Sequence, residues 1–133
     1  MSFFSIKLSY LNIYSLIVNY CNMSTELNFD DFSKIDIRVG TVIDAYFNKD
    51  SIKPAYILSI DFGPLGVYKS SAQITENYKA KSLVDTQATA IINFPKKQIG
   101  KTMSSCLVLG VAQSSGVTLI KPLDRVINGS VVS

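Results

Sequence analysis

From Ile35 onward apolar and polar side chains alternate: Ile35, Ile37, Val39, Thr41, Ile43 and Ala45 stand against Asp36, Arg38, Gly40, Val42 and Asp44. A period of two is the signature of a half-buried strand, and Gly40 inside it predicts a bulge or sharp bend. The polar loop Asn48 to Pro54 leads to a second alternating run, with Tyr56, Leu58, Ile60 and Phe62 on one side and Ile57, Ser59 and Asp61 on the other. Gly63-Pro64-Leu65-Gly66 ends that run as a turn. A third strand is expected from Val67 to about Ala72, then a helical segment near Gln73 to Tyr78 and an irregular stretch to Asp85. Thr86 to Phe94 reads as a fourth strand with Ala88, Ala90, Ile92 and Phe94 on one face. After a polar connection from Pro95 to Met103 come Leu107, Leu109 and Val111, and a turn at Ser114-Ser115-Gly116 returns the chain through Val117 to Ile120.

Five strands with one short inter-strand helix make a small all-β barrel, the OB-fold architecture, which commonly binds oligonucleotides. Before the barrel, Leu27, Phe29 and Phe32 with Asp30 and Asp31 suit a short amphipathic helical turn between Glu26 and Lys34. Residues 1–22 are broken by polar side chains so often that their longest aliphatic run is Leu16-Ile17-Val18, which does not span a bilayer or form a signal h-region. Met23 opens a more ordinary N-terminus, so residues 1–22 read as an upstream extension. Near the other end, Pro122 to Gly129 continues past the last strand with apolar residues that a monomer would leave exposed and a two-fold partner would cover.

Composition narrows the function. At 133 residues, 47% hydrophobic and 17% charged, the chain supports one globular domain. Histidine is absent, which removes the commonest general base and metal ligand and every Ser-His or Cys-His nucleophile. Cys21 and Cys106 lack CxxC spacing, so neither a zinc site nor a disulfide framework is expected, and a reducing cytoplasm is the default setting. Cys106, inside Cys106-Leu107-Val108-Leu109, reads as a small buried hydrophobe. Binding is favoured over catalysis, with no cofactor and no metal. The net charge of +3 hides an asymmetry: Lys69, Lys79, Lys81, Lys96, Lys97 and Lys101 face only Glu76 and Asp85 between residues 69 and 101. Such a concentration attracts a polyanion, nucleic acid or membrane headgroups, and is also what a solvated, solubilising face looks like.

Several segments in order carry a family likeness: Lys34-Ile35-Asp36-Ile37-Arg38-Val39-Gly40-Thr41-Val42, Lys53-Pro54-Ala55-Tyr56, Asp61-Phe62-Gly63-Pro64 and Lys69-Ser70-Ser71-Ala72-Gln73-Ile74-Thr75. With Asn93-Phe94-Pro95-Lys96-Lys97-Gln98-Ile99-Gly100 and Met103-Ser104, the chain from about residue 33 to 133 resembles the CsaA-type tRNA-binding-domain proteins. The resemblance implies an OB-fold that dimerises through segments outside the barrel, and a surface that holds tRNA by shape. It also implies an alternative role, as a chaperone for unfolded or export-precursor polypeptides. The expected organisation is then an upstream extension over 1–22, a dimerisation segment over 23–33 and a tRNA-binding OB domain with a C-terminal extension over 34–133. The sequence departs from the family pattern at Lys96, where a second proline commonly follows Pro95, and at Leu107, which aligns with a methionine of tRNA-binding relatives.

The likeness raises particular residues to site candidates. Lys96, Lys97 and Lys101 would attract phosphates, with Lys49, Lys53 and Lys69 on loops and strand ends nearby, and Asn93, Gln98 and Ser104 would bond phosphate or ribose oxygens. Ser70, Ser71, Gln73, Tyr68 and Leu107 are candidate polypeptide or RNA contacts, although Ser70, Ser71 and Gln73 equally suit capping of the short helix. Arg38 is assigned to an internal ion pair with Asp36 or Asp44. Tyr56, Phe62 and Phe94 lie on apolar faces and belong to the core, which leaves Tyr46, Phe47 and Tyr68 as stacking or peptide-contact candidates. The partners expected are tRNA, a second copy of the chain and, in the alternative, polypeptides, without membrane insertion.

Overall fold

The computed structural model describes residues 26–133, which divide into two compact units, one ending at Ile35 and one running from Asp36 to Ser133. Cys21 and the upstream extension expected over 1–22 lie outside the described residues. In the first unit the expected helical turn is present as α1 (Phe29–Ser33). Asn28 caps it by accepting the Asp30 N–H on Oδ1 at 2.9 Å, and Asp30 and Asp31 in the first turn complement the positive end of the helix. None of its residues is buried.

The second unit is built on strands β1 (Ile37–Phe47), β2 (Tyr56–Asp61), β3 (Val67–Ala72) and β4 (Gln87–Ile91), with α2 (Ala80–Leu83) between the last two. A hairpin of β5 (Lys97–Ile99) and β6 (Thr102–Ser104) follows, then β7 (Leu107–Val108) and a second hairpin of β8 (Gly110–Gln113) and β9 (Gly116–Leu119). The main sheet is antiparallel in the order β3-β2-β1-β4-β7. It curls into a nearly closed barrel because Ser105, just before β7, returns to β3: its N–H donates to the Lys69 carbonyl at 2.7 Å and its Oγ accepts the Lys69 N–H at 3.1 Å. The expected five-stranded OB-type barrel is therefore the observed core fold.

Strand β1 makes the curl possible by serving two neighbours, pairing with β4 over Ile37 to Thr41 and with β2 over Thr41 to Phe47. The register shifts between Val42 and Asp44, so the bulge sits at Ile43 rather than at Gly40. Val42, which the alternation put on the polar side, is fully buried in the core ahead of the bulge, while Ile43, expected inside, is exposed; beyond the bulge the inward side passes from even to odd positions, and Ala45 packs on the core as expected. Gly40 serves a different need, because a Cβ there would lie 2.7 Å from Ile60 Cγ2 and 2.8 Å from Phe62 Cδ1. Without a side chain, β1 lies directly on the core. Strand β2 has no bulge, and Leu58 and Ile60, together with Phe62 beyond its end, fill the core as its alternation requires.

Three local expectations are corrected. The inter-strand helix is Ala80–Leu83, not 73–78, and it exists to drive Leu83 into the core. Its cap residue Lys79 makes no side-chain bond, so Ser70 and Ser71, which lie on β3, do not cap it. The connection from Pro95 to Met103 contains the β5–β6 hairpin, and the fourth strand stops at Ile91 ahead of Pro95, which has no N–H for a ladder.

After β9 the chain returns to the free edge of the first half of β1. The Val39 N–H donates to the Ser130 carbonyl at 3.0 Å, and the Gly129 and Val132 N–H groups donate to the carbonyls of Val39 and Ile37 at 2.7 and 2.8 Å. Gln87 brackets Val126, its Nε2 donating to the carbonyl at 2.7 Å and its Oε1 accepting the N–H at 3.0 Å. Asn128 Oδ1 accepts from Thr41 Oγ1 at 2.6 Å. Polar side chains thus hold the backbone of this segment, while Leu123 and Ile127 stay exposed.

Candidate nucleic-acid interface

Asn48 organises one end of the barrel. It follows β1, opens the loop to β2 and is buried, which for an amide demands internal partners. Its Nδ2 donates to Ser71 Oγ on β3 at 3.1 Å, and its Oδ1 accepts the Asp50 N–H at 3.1 Å in an Asx turn. Its own N–H donates to the Ala55 carbonyl at 2.9 Å, closing the loop at its far end. Ser71 continues the chain by donating its N–H to Ser104 Oγ at 3.4 Å, and Ser104 donates in turn to the Cys106 carbonyl at 3.4 Å. The loop, β3 and β6 are thereby tied together under the surface.

Above this network the β5–β6 hairpin touches the loop. Its tip is the pair Gly100-Lys101, with Gly100 at φ +61° in the first loop position, as a type II′ turn demands, and Gln98 Nε2 donating to the Gly100 carbonyl at 2.8 Å. A Cβ on Gly100 would lie 2.7 Å from Asp50 Cβ and 3.0 Å from the Asp50 carbonyl carbon and oxygen. The tip therefore rests on the loop backbone with no room between them. The contact sets the loop that carries Lys49 and Lys53 against the hairpin tip at Lys101, while Lys97 and Lys96 stand at the hairpin's root. In OB-type barrels the first loop and the loop between the fourth and fifth sheet strands line the ligand groove, and these are the two segments joined here.

The expected site residues fall into two groups. Lys49, Lys53, Lys69, Lys96 and Lys101 are exposed and Lys97 is half-buried. Gln98 and Asn93 are exposed, but Gln98 braces the hairpin turn, and Asn93 Oδ1 accepts the Asp36 N–H at 3.0 Å, fixing the start of the barrel. Ser70, Ser71 and Ser104 are buried and bonded internally. Gln73, Tyr68 and Leu107 are half-buried. Arg38 pairs with Asp36 at 2.6 Å, as expected, and also donates to the Gly129 carbonyl at 3.0 Å. Asn48, Asp50 and Gly100 were not singled out from the sequence; the only local signal was the Asn-x-Asp spacing of an Asx turn.

Cys106 is fully buried, and that burial pushes its thiol from 9.0 up to about 12 against a smaller opposing pull from a hydrogen bond with Ser70. It is held as an inert thiol, matching its assignment to the core. Among the described residues no cluster of His, Cys, Asp or Glu is placed to hold a metal ion, and no helix is long and apolar enough to cross a membrane.

Residues 37–131 match the family described as "Putative tRNA binding domain". The chain belongs to this tRNA-binding domain family. The crystal structure of the chaperone CsaA from Bacillus anthracis str. Ames is 42% identical and superposes with a TM-score of 0.77, covering 82% of this chain and 100% of that one. The CsaA chaperone protein from Picrophilus torridus is 45% identical at a TM-score of 0.77, covering 81% and 100%. The CsaA-type likeness carried by the motifs thus extends to the fold. Methionine--tRNA ligase of Methanococcoides burtonii is 31% identical over 97 residues, which are 72% of this chain and 14% of the ligase. The chain spans only that small part of the ligase's length.

Proposed function

We propose that the chain is a non-catalytic, homodimeric tRNA-binding module of the cytoplasm, holding structured tRNA through the surface formed by the β1–β2 loop and the β5–β6 hairpin. The observation that carries this reading is the contact of Gly100 with Asp50, which unites four lysines from two distant segments in a member of the tRNA-binding domain family. A basic surface suits the backbone of a folded RNA, where phosphate contacts position the ligand and release counterions. Residues 23–33 and the C-terminal segment are the dimerisation segments in this reading, with the exposed Leu123, Ile127 and Val131 meeting a second copy. Two such surfaces on one particle bind bivalently. The test is equilibrium binding to tRNA and to an unstructured RNA of equal length across a salt series. Preference for tRNA supports the reading; equal affinity for both overturns it.

The similarity to CsaA chaperone structures, together with the exposed apolar side chains of the C-terminal segment, favours polypeptide chaperoning as the second reading. Suppression of client aggregation by the dimer tests it, and no suppression removes it.

A further inference from the structure

Of the aromatic residues the sequence leaves available for ligand contact, the structure separates three cases. Tyr68 on β3 points inward and meets Phe62 edge-on at 5.4 Å, so its ring is part of the core packing. Phe47 pairs with Tyr56 and, although half its surface is exposed, its ring is engaged edge-on by the Tyr56 ring at 6.5 Å. Tyr46 differs from both. It pairs with Ile57, and Ile57 pairs with Ser71, both buried, which places Tyr46 on the face of the sheet opposite Leu58 and Ile60, one row from the cross-strand line Asp44, Ser59 and Lys69. It is 42% exposed, and among the described residues its ring stacks on no other ring and its hydroxyl makes no hydrogen bond. Lys49 follows it by three positions on the loop, and Lys69 lies on its own face.

We infer that Tyr46 is a stacking platform for an unpaired nucleobase of the bound RNA, a deepening that rests on the tRNA reading above. A nucleobase needs a bare π-face held rigidly, and a sheet position supplies that at low cost in conformational entropy. Its attached phosphates need cations on the same surface, and Lys69 on that face of the sheet and Lys49 on the adjoining loop are the candidates.

The experiment compares wild type with Tyr46→Ala, Tyr46→Ile and Tyr46→Phe, using tRNA and a fully paired RNA duplex across a salt series. Base stacking on an aromatic side chain accounts for roughly 5- to 150-fold in affinity. Tyr46→Ala and Tyr46→Ile are expected to lose that factor on tRNA while Tyr46→Phe retains it; isoleucine keeps the bulk and strand preference but has no π-face. The duplex should bind all four proteins alike, and the salt slope on tRNA should be unchanged, because stacking releases no counterions. Wild-type tRNA affinity in the Ala and Ile variants overturns the inference and leaves the tRNA reading standing. Failure of wild type itself to prefer tRNA overturns both. Loss of client protection with tRNA binding intact assigns Tyr46 to polypeptides and also overturns it.

Discussion

Replacing Gly100 by alanine probes the joint between the two basic segments. At φ +61° an L-residue costs roughly 1–2 kcal/mol. The new Cβ would sit 2.7 Å from Asp50 Cβ and 3.0 Å from the Asp50 backbone, where carbon atoms prefer about 3.5–4.0 Å. No rotamer change relieves a backbone contact, so the hairpin must lift off the loop, which adds about 1–3 kcal/mol of strain or lost packing. Gly66 supplies the control: its φ is +97° and nothing lies within 4 Å of its added Cβ, so Gly66→Ala carries conformational strain without a clash. Denaturant unfolding and tRNA binding would be measured on both. Both variants should be less stable, but only Gly100→Ala should weaken tRNA binding, with a shallower salt slope as the two lysine groups cease to act on one ligand. Wild-type affinity and slope in Gly100→Ala would refute the claim that the loop–hairpin contact builds the surface.

Other perturbations follow from the same geometry. Asn48→Ala leaves the Asp50 N–H and Ser71 Oγ without their partners and should destabilise the protein by about 2–4 kcal/mol in denaturant unfolding. Asn48→Asp should also destabilise, because it puts a carboxylate in a buried position, although the Ser71 hydroxyl can turn to donate to it. Gln87→Ala should release the C-terminal segment at a cost of about 1–2 kcal/mol, with the Gly129 and Val132 amides losing hydrogen-exchange protection first. Native Cys106 should resist thiol reagents until the protein unfolds. Its raised folded value means that stability is full below pH 9.0, where the thiol of the unfolded chain begins to ionise, and is lost as pH rises toward about 12. The loss is on the order of 4 kcal/mol, and alkaline unfolding of Cys106→Ala should lack it.

How far the sequence could be read depended on the length and regularity of each element. Strand β2 was legible because its six residues alternate without a break, and α1 because Leu27, Phe29 and Phe32 recur at helical spacing beside Asp30 and Asp31. In β1 the same reasoning failed at Val42 and Ile43 and recovered at Ala45, since a bulge leaves no mark in composition yet exchanges inside for outside. The three-residue strands β5 and β6 and the four-residue helix α2 are too short to show any period, and tertiary contact alone creates them. The candidate site was legible as a charge excess, which named the proposed lysines but not the segments that carry them together. That grouping depends on Asn48, a buried polar residue in a loop that composition assigns to solvent, and on a glycine from one hairpin meeting an aspartate from another loop. Ser70, Ser71 and Ser104 show the reverse: family motif positions whose hydroxyls the structure spends on internal bonds.

The most direct test of the central claim is a lysine cycle read through salt dependence. Lys49 and Lys53 are replaced together by alanine, Lys97 and Lys101 together, and then all four, and the tRNA salt slope of each protein is compared with wild type. Each lost phosphate contact should reduce the slope by roughly 0.7–0.9, and because loop and hairpin hold one ligand, either double replacement should lower both affinity and slope. A slope unchanged by all four replacements would contradict the account and return these lysines to the ordinary charged surface of a barrel that binds elsewhere.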